Sequence, residues 1–221
     1  MDGSARGRKQ FEARVTDHPK ALADEEARHQ RAAMLRLPHI APLSDLVDEM
    51  RRERGVTREI PYFDPLDGGV RASVLFILEA PGPKAVMSGF VSRDNPDESA
   101  KNFWLACREA KLPREVTVIW NVVPWYLGDG RRIRPATASD IALGKRHLEL
   151  LISLLARLEM IVLVGRKAQQ VDPWLQELLG KRINILGMPH PSPVFVNRRP
   201  ENRGLLVEAI RRVAQYVGSS S

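Results

Sequence analysis

Four short stretches hold the side chains best able to do chemistry. They are Glu79-Ala80-Pro81-Gly82-Pro83, Asn121-Val122-Val123-Pro124, Gly165-Arg166-Lys167 and His190-Pro191-Ser192-Pro193. An imidazole exchanges a proton near neutrality, a carboxylate can orient or deprotonate water, and a carboxamide offers a donor and an acceptor on one planar group. Three of the stretches set these groups among prolines, which fix φ and stiffen a loop, as a preorganised site requires. Each residue also has a duller reading: His190 as a structural histidine, Asn121 as a strand-end cap, and Glu79 as a partner for the following helix.

The elements around them explain why they converge. Apolar, β-branched runs at Ala72–Glu79, Val116–Asn121, Met160–Val164 and Arg182–Leu186 read as buried strands. Helical spacing spans Asp97–Lys111, Ser139–Leu158, Lys167–Leu179 and Glu201–Val217, with Thr137 and Asp140 able to cap the second of these. Strands alternating with helices predict a parallel sheet covered on both faces, and ligands bind beyond the carboxyl ends of such strands. All four stretches lie there. Upstream, residues 1–20 are polar and aperiodic and predict a disordered tail. Ala21–Leu37 and Leu43–Arg54 predict helices, so residues 21–60 form a helical lead-in to one domain running to residue 221. The segment from Thr57 to Gly69 predicts a loop.

A chain of 221 residues, 43% hydrophobic and 28% charged, fits one globular domain with a full core. Its one cysteine, Cys107, rules out an internal disulfide or a Cys-rich zinc site. The longest apolar runs have five residues, far short of the roughly 20 that span a bilayer. No apolar stretch follows the basic start, so the expectation is a cytoplasmic protein with no membrane partner. The net charge of +7 is uneven: residues 126–221 carry 15 Lys and Arg against 8 Asp and Glu, while the rest of the chain is balanced. A polyanion-binding face is therefore expected in that half. Trp125, Tyr126, Arg131, Arg132 and Arg134 suit either single-strand stacking or loop packing.

Together, Glu79-Ala80-Pro81-Gly82, Gly89-Phe90-Val91, Asn121 and His190-Pro191-Ser192-Pro193 resemble the uracil-DNA glycosylase superfamily, over about 130 residues from Val74 to Arg203. The resemblance implies a three-layer α/β/α sandwich around a four-stranded parallel sheet. It also implies a monomeric, monofunctional enzyme that hydrolyses the glycosidic bond of uracil flipped out of DNA, leaving an abasic site. His190 would donate to the uracil O2 as negative charge develops, and Glu79 or a nearby carbonyl would position water. Phe90 would stack on the base, Asn121 would read its edge, and Ala80 and Gly82 would line the substrate pocket. On the DNA side, Ser192 would hold phosphate, Val194 would enter the base stack and Arg198 would follow it into the minor groove.

Three departures accompany the resemblance. Ala80 stands where the best-known branch has a water-activating aspartate, and Gly82 stands where that branch has a tyrosine excluding the thymine methyl. The branches sharing the first motif usually hold an iron–sulfur cluster on four cysteines, which Cys107 alone cannot do, so neither metal nor cofactor is expected. Two alternatives are a catalytically weak module holding damaged or abasic DNA, and a nucleotide or nucleoside hydrolase cradling phosphate in the Glu79–Pro83 turn.

Overall fold

Val74–Leu78 (β2), Thr117–Asn121 (β4) and Met160–Val164 (β5) are almost wholly buried strands, as their continuous apolar character requires. In this computed structural model, which describes residues 16–129 and 132–219, they join Asn184–Met188 (β6) in a parallel four-stranded sheet of order β4-β2-β5-β6. The register sets Leu78 beside Asn121 and Val164 beside Met188, so the polar residues that follow gather along one sheet edge. Helices complete the three-layer sandwich. Ala41–Arg54 (α2) packs against Ala138–Leu154 (α5), and Glu98–Glu109 (α4) against Asn202–Ser219 (α8). Asp172–Leu179 (α6) links β5 to β6, following a 3-10 turn over Ala168–Val171 and carrying Pro173 in its first turn.

Local chemistry sets the boundaries. Thr137 and Asp140 form a complete capping box at the start of α5, as their spacing predicts. Gly144 lets α5 lie against the loop after Asn121, because a Cβ there would fall 2.0 Å from the Val122 carbonyl oxygen. The last strand begins two residues later than its β-branched run predicts, since Gly180–Arg182 close as a 3-10 turn and β6 is a partly exposed edge. Within the expected 57–69 loop, Tyr62–Phe63 (β1) pairs in parallel with Phe90–Val91 (β3). Two residues carry no periodicity by which a strand can be recognised. Glu25–Ala33 (α1) is shorter than the Ala21–Leu37 helix expected, because Asp24 caps its start after a 3-10 turn over Ala21–Ala23.

The expected tail covers residues 1–20, of which 1–15 lie outside the described residues. Residues 16–20 are not loose: Asp17 accepts hydrogen bonds from Trp104 (3.0 Å) and Arg114 (2.8 Å), and Lys20 bonds Glu98. They cover a buried ionic cluster. Arg31, on α1 and fully buried, donates to Asp64 at 3.0 Å, to Asp94 at 2.9 Å and to the Thr16 carbonyl at 2.7 Å. Arg114 donates to Asp64 (2.6 Å), Asp67 (2.9 Å) and Asp94 (2.9 Å). Burial pushes Asp67 up to about 6, whereas Arg114 and Arg31 overcome the burial of Asp64 and hold it below its ordinary value. Ser92 donates to Asp64 and accepts from the Asp94 amide, so the cluster fixes the 92–95 segment that walls the site.

Candidate active site

A cavity of about 350 Å³ opens at the carboxyl edge of the sheet, lined by Gly82, Val91, Asp97, Phe103, Asn121 and His190 among others. A second hollow of about 410 Å³ shares Ala80, Pro81, Gly82 and His190 with it and is walled by Glu79, Arg134, Arg166 and Lys167. The first is the more apolar of the two, with Ala85, Val91, Phe103 and Ile119 in its lining.

Asn121 ends β4 and is 2% exposed, and its Nδ2 has no hydrogen-bond partner among the described residues. An unanswered buried amide costs stability of order 1–3 kcal/mol unless something else meets it, which marks it as a group kept for a ligand. His190 stands two residues beyond β6, and its loop is pinned from three sides. Gly165 N and Gln169 Nε2 each donate to the Met188 carbonyl at 2.9 Å, and Asn102 Nδ2 donates to the Pro191 carbonyl at 3.0 Å. Gly165 has φ +85°, and a Cβ there would come within 3.1 Å of the His190 Cβ, so glycine is needed for both reasons.

Burial lowers the His190 pKa below its ordinary 6.5, against the opposing pull of Asp97 and Glu79. The imidazole is therefore neutral at pH 7, able to donate one N–H without carrying charge. Any reaction that uses this neutral donor should hold a constant rate above neutrality and slow as pH falls through the depressed His190 pKa. Stability follows the same sign: the unfolded chain protonates His190 before the native one does, so the native state loses stability as pH drops below 6.5. A single-turnover pH–rate profile with parallel thermal melts checks both. A rate that rises on acidification contradicts the assignment.

The other expected residues are placed unevenly. Ala80 and Gly82 line both hollows, and a Cβ on Gly82 would meet nothing within 4 Å. Glu79 lines the second hollow and not the first: its carboxylate accepts the Ala136 amide at 2.9 Å, and its carbonyl accepts from Val123. It braces the 134–137 loop. Phe90 is also displaced from its expected role, since it is 3% exposed and not part of the cavity wall, whose aromatic ring is Phe103. Alternation along β3 is the reason, because Val91 faces the cavity and its neighbour faces the other way. Phe90 contributes its carbonyl instead, which accepts from Asn95 at 2.9 Å.

Ser192 caps Pro193–Val196 (α7) by accepting from the Phe195 amide at 3.3 Å. Val194 is 81% exposed at the tip of this loop, with Arg198 exposed close behind it. Trp125, by contrast, is 4% exposed under the Arg54 guanidinium, and Arg134 pairs with Asp140, which is loop packing. Arg131 lies outside the described residues.

Several lining residues escape sequence reasoning: Arg93, Asn95, Asp97 and Phe103. The signal for the first three is the Ser92-Arg93-Asp94-Asn95-Pro96-Asp97 run, a polar cluster preceding a capped helix, whereas Phe103 lies inside that helix. Arg93 is 4% exposed, and its Nε has no partner among the described residues.

The sequence matches the Uracil DNA glycosylase superfamily over residues 65–214. The chain belongs to that superfamily. Its fold is similar to that of the crystal structure of Pedobacter heparinus SMUG2, with a TM-score of 0.53 and 9% identity, covering 83% of this chain and 86% of that one. A solution NMR structure of a Methanosarcina acetivorans protein aligns with a TM-score of 0.43 and 14% identity, over 64% of this chain and 91% of that one. No curated protein matches the sequence. The iron–sulfur cluster bound in branches of the uracil-DNA glycosylase superfamily that share the first motif does not fit here. Cys107 is the chain's one cysteine, 2% exposed inside α4, and burial pushes its thiol up to about 11.

Proposed function

We propose that this superfamily member is a monofunctional glycosylase that removes uracil flipped out of DNA, leaving an abasic site. The observation that carries the reading is that the Asn121 amide, unpartnered among the described residues, and His190, whose pKa burial holds down, share one largely apolar cavity at the sheet's carboxyl edge. Asn121 Oδ1 suits the uracil N3–H and Nδ2 suits O4, while cytosine presents the reverse pattern. As the bond from C1′ to N1 lengthens, its electron pair moves onto the base and the sugar becomes cation-like. A His190 N–H directed at O2 then meets charge that exists only in the transition state. The apolar walls strengthen that interaction by lowering the local dielectric.

DNA would lie across the basic rim, with Arg166 and Lys167 beside the second hollow and Val194 and Arg198 at the loop tip. Neutralising several phosphates makes the affinity fall steeply as salt rises. The open space beside Gly82 leaves the pocket without a wall against a substituent on the base. Gly82→Tyr should therefore cut cleavage of 5-substituted uracils by at least about tenfold relative to uracil, the discrimination that one added wall contact gives a pocket. A panel of oligonucleotides carrying uracil, thymine or 5-hydroxymethyluracil tests this. No release of uracil by the folded wild type would overturn the function itself.

A further inference from the structure

Ala80 has no group with which to activate water, and Glu79, whose Oε1 accepts the Ala136 amide, lines the second hollow and not the first. Asp97 is the carboxylate that lines the cavity together with His190 and Asn121. It stands at the N-cap of α4, where Oδ1 accepts the Ala100 amide at 2.9 Å. That bond fixes χ1 and χ2 and leaves Oδ2 for another partner. The helix carrying it is tied to the His190 loop by the bond of 3.0 Å from Asn102 Nδ2 to the Pro191 carbonyl. Of the two carboxylates that pull the His190 pKa upward against burial, Asp97 exerts the larger pull and Glu79 the smaller.

We propose that Asp97 is the water-activating carboxylate of this enzyme, replacing the group that Ala80 lacks. The assignment rests on the glycosylase reading given above. As the bond from C1′ to N1 breaks, its electron pair leaves with the base as a uracil anion held by His190 and Asn121. The water oxygen forms the new bond to C1′, and its proton passes to Asp97. Asp97 then returns that proton to the departing base, so the products are uracil and an abasic site with a hydroxyl on C1′. Before the water bonds, the same negative charge faces the cation-like sugar and stabilises it through space. The capping bond gives the carboxylate a fixed position, so no reorganisation is needed when the sugar charge develops.

Asp97→Asn is the decisive variant, because asparagine caps a helix as well as aspartate does while removing the charge and the basicity. Its thermal melt should match that of the wild type. In single-turnover cleavage of a uracil-containing duplex it should be at least about 100-fold slower, the lower range for a lost general base. A second readout does not depend on turnover. The wild type should bind a duplex with a cationic pyrrolidine abasic analogue more tightly than one with a neutral tetrahydrofuran analogue, and Asp97→Asn should lose that preference. A folded Asp97→Asn cleaving within about threefold of the wild type, or retaining the cation preference, overturns the assignment and leaves the glycosylase reading standing. A larger loss in Glu79→Gln than in Asp97→Asn overturns it in favour of Glu79. A wild type that releases no uracil removes the glycosylase reading, and the assignment falls with it.

Discussion

His190→Ala should lower the single-turnover rate of uracil release by about 100- to 1,000-fold, the cost of removing one donor directed at a developing oxyanion. DNA affinity should change little, because His190 faces the inner cavity while the exposed cations lie on the rim. The two effects separate because the bond to O2 strengthens as charge develops and contributes weakly in the ground state. The loop itself should persist, since it is held through the Met188 and Pro191 carbonyls by residues other than His190. Single-turnover rates and a salt-controlled binding titration on the same duplex measure both quantities. Equal losses in rate and affinity would make His190 a binding residue only.

Arg31→Met should destabilise the fold by about 3–5 kcal/mol, the range for breaking a buried ion pair by removing one partner. Asp64 and Asp94 would each lose a charged donor, and Arg31 has no solvent exposure through which water could replace it. Arg203→Ala gives the contrast. Its partner Glu109 is about half exposed, so the loss should stay under about 1 kcal/mol. Denaturant titrations of both variants, compared at constant m-value, check the difference. Because Asp64 also holds Ser92, Arg31→Met should slow uracil release even where the protein remains folded. That effect would connect α1, which precedes the matched 65–214 region, to the cavity wall.

Much of this architecture is legible in the chain because the sheet is parallel and buried. Continuous apolar runs place the ends of β2, β4 and β5 within two residues, and the Thr137–Asp140 spacing predicts the capping box that forms. Asn121, the last residue of β4, and His190, two residues beyond β6, stand out for their places at strand ends. The failures share a physical cause. β1 and β3 are too short for periodicity, and the side Phe90 faces depends on a strand that the pattern does not reveal. The Glu79 partner comes from residue 136, and the ionic cluster joins residues 17, 31, 64, 67, 94 and 114. Contacts so distant along the chain leave no local trace in it. Asp97 reads as an ordinary helix cap until the cavity beside it is seen.

The most direct measurement is cleavage of an end-labelled oligonucleotide carrying one uracil, with and without alkali, by the wild type, His190→Ala and Asn121→Ala. The account predicts strand breaks only after alkali for the wild type, with losses of at least about tenfold in both variants. A folded wild type that binds the duplex in a salt-dependent way yet yields no alkali-sensitive site would contradict glycosylase activity. The chain would then be a DNA-binding member of its superfamily.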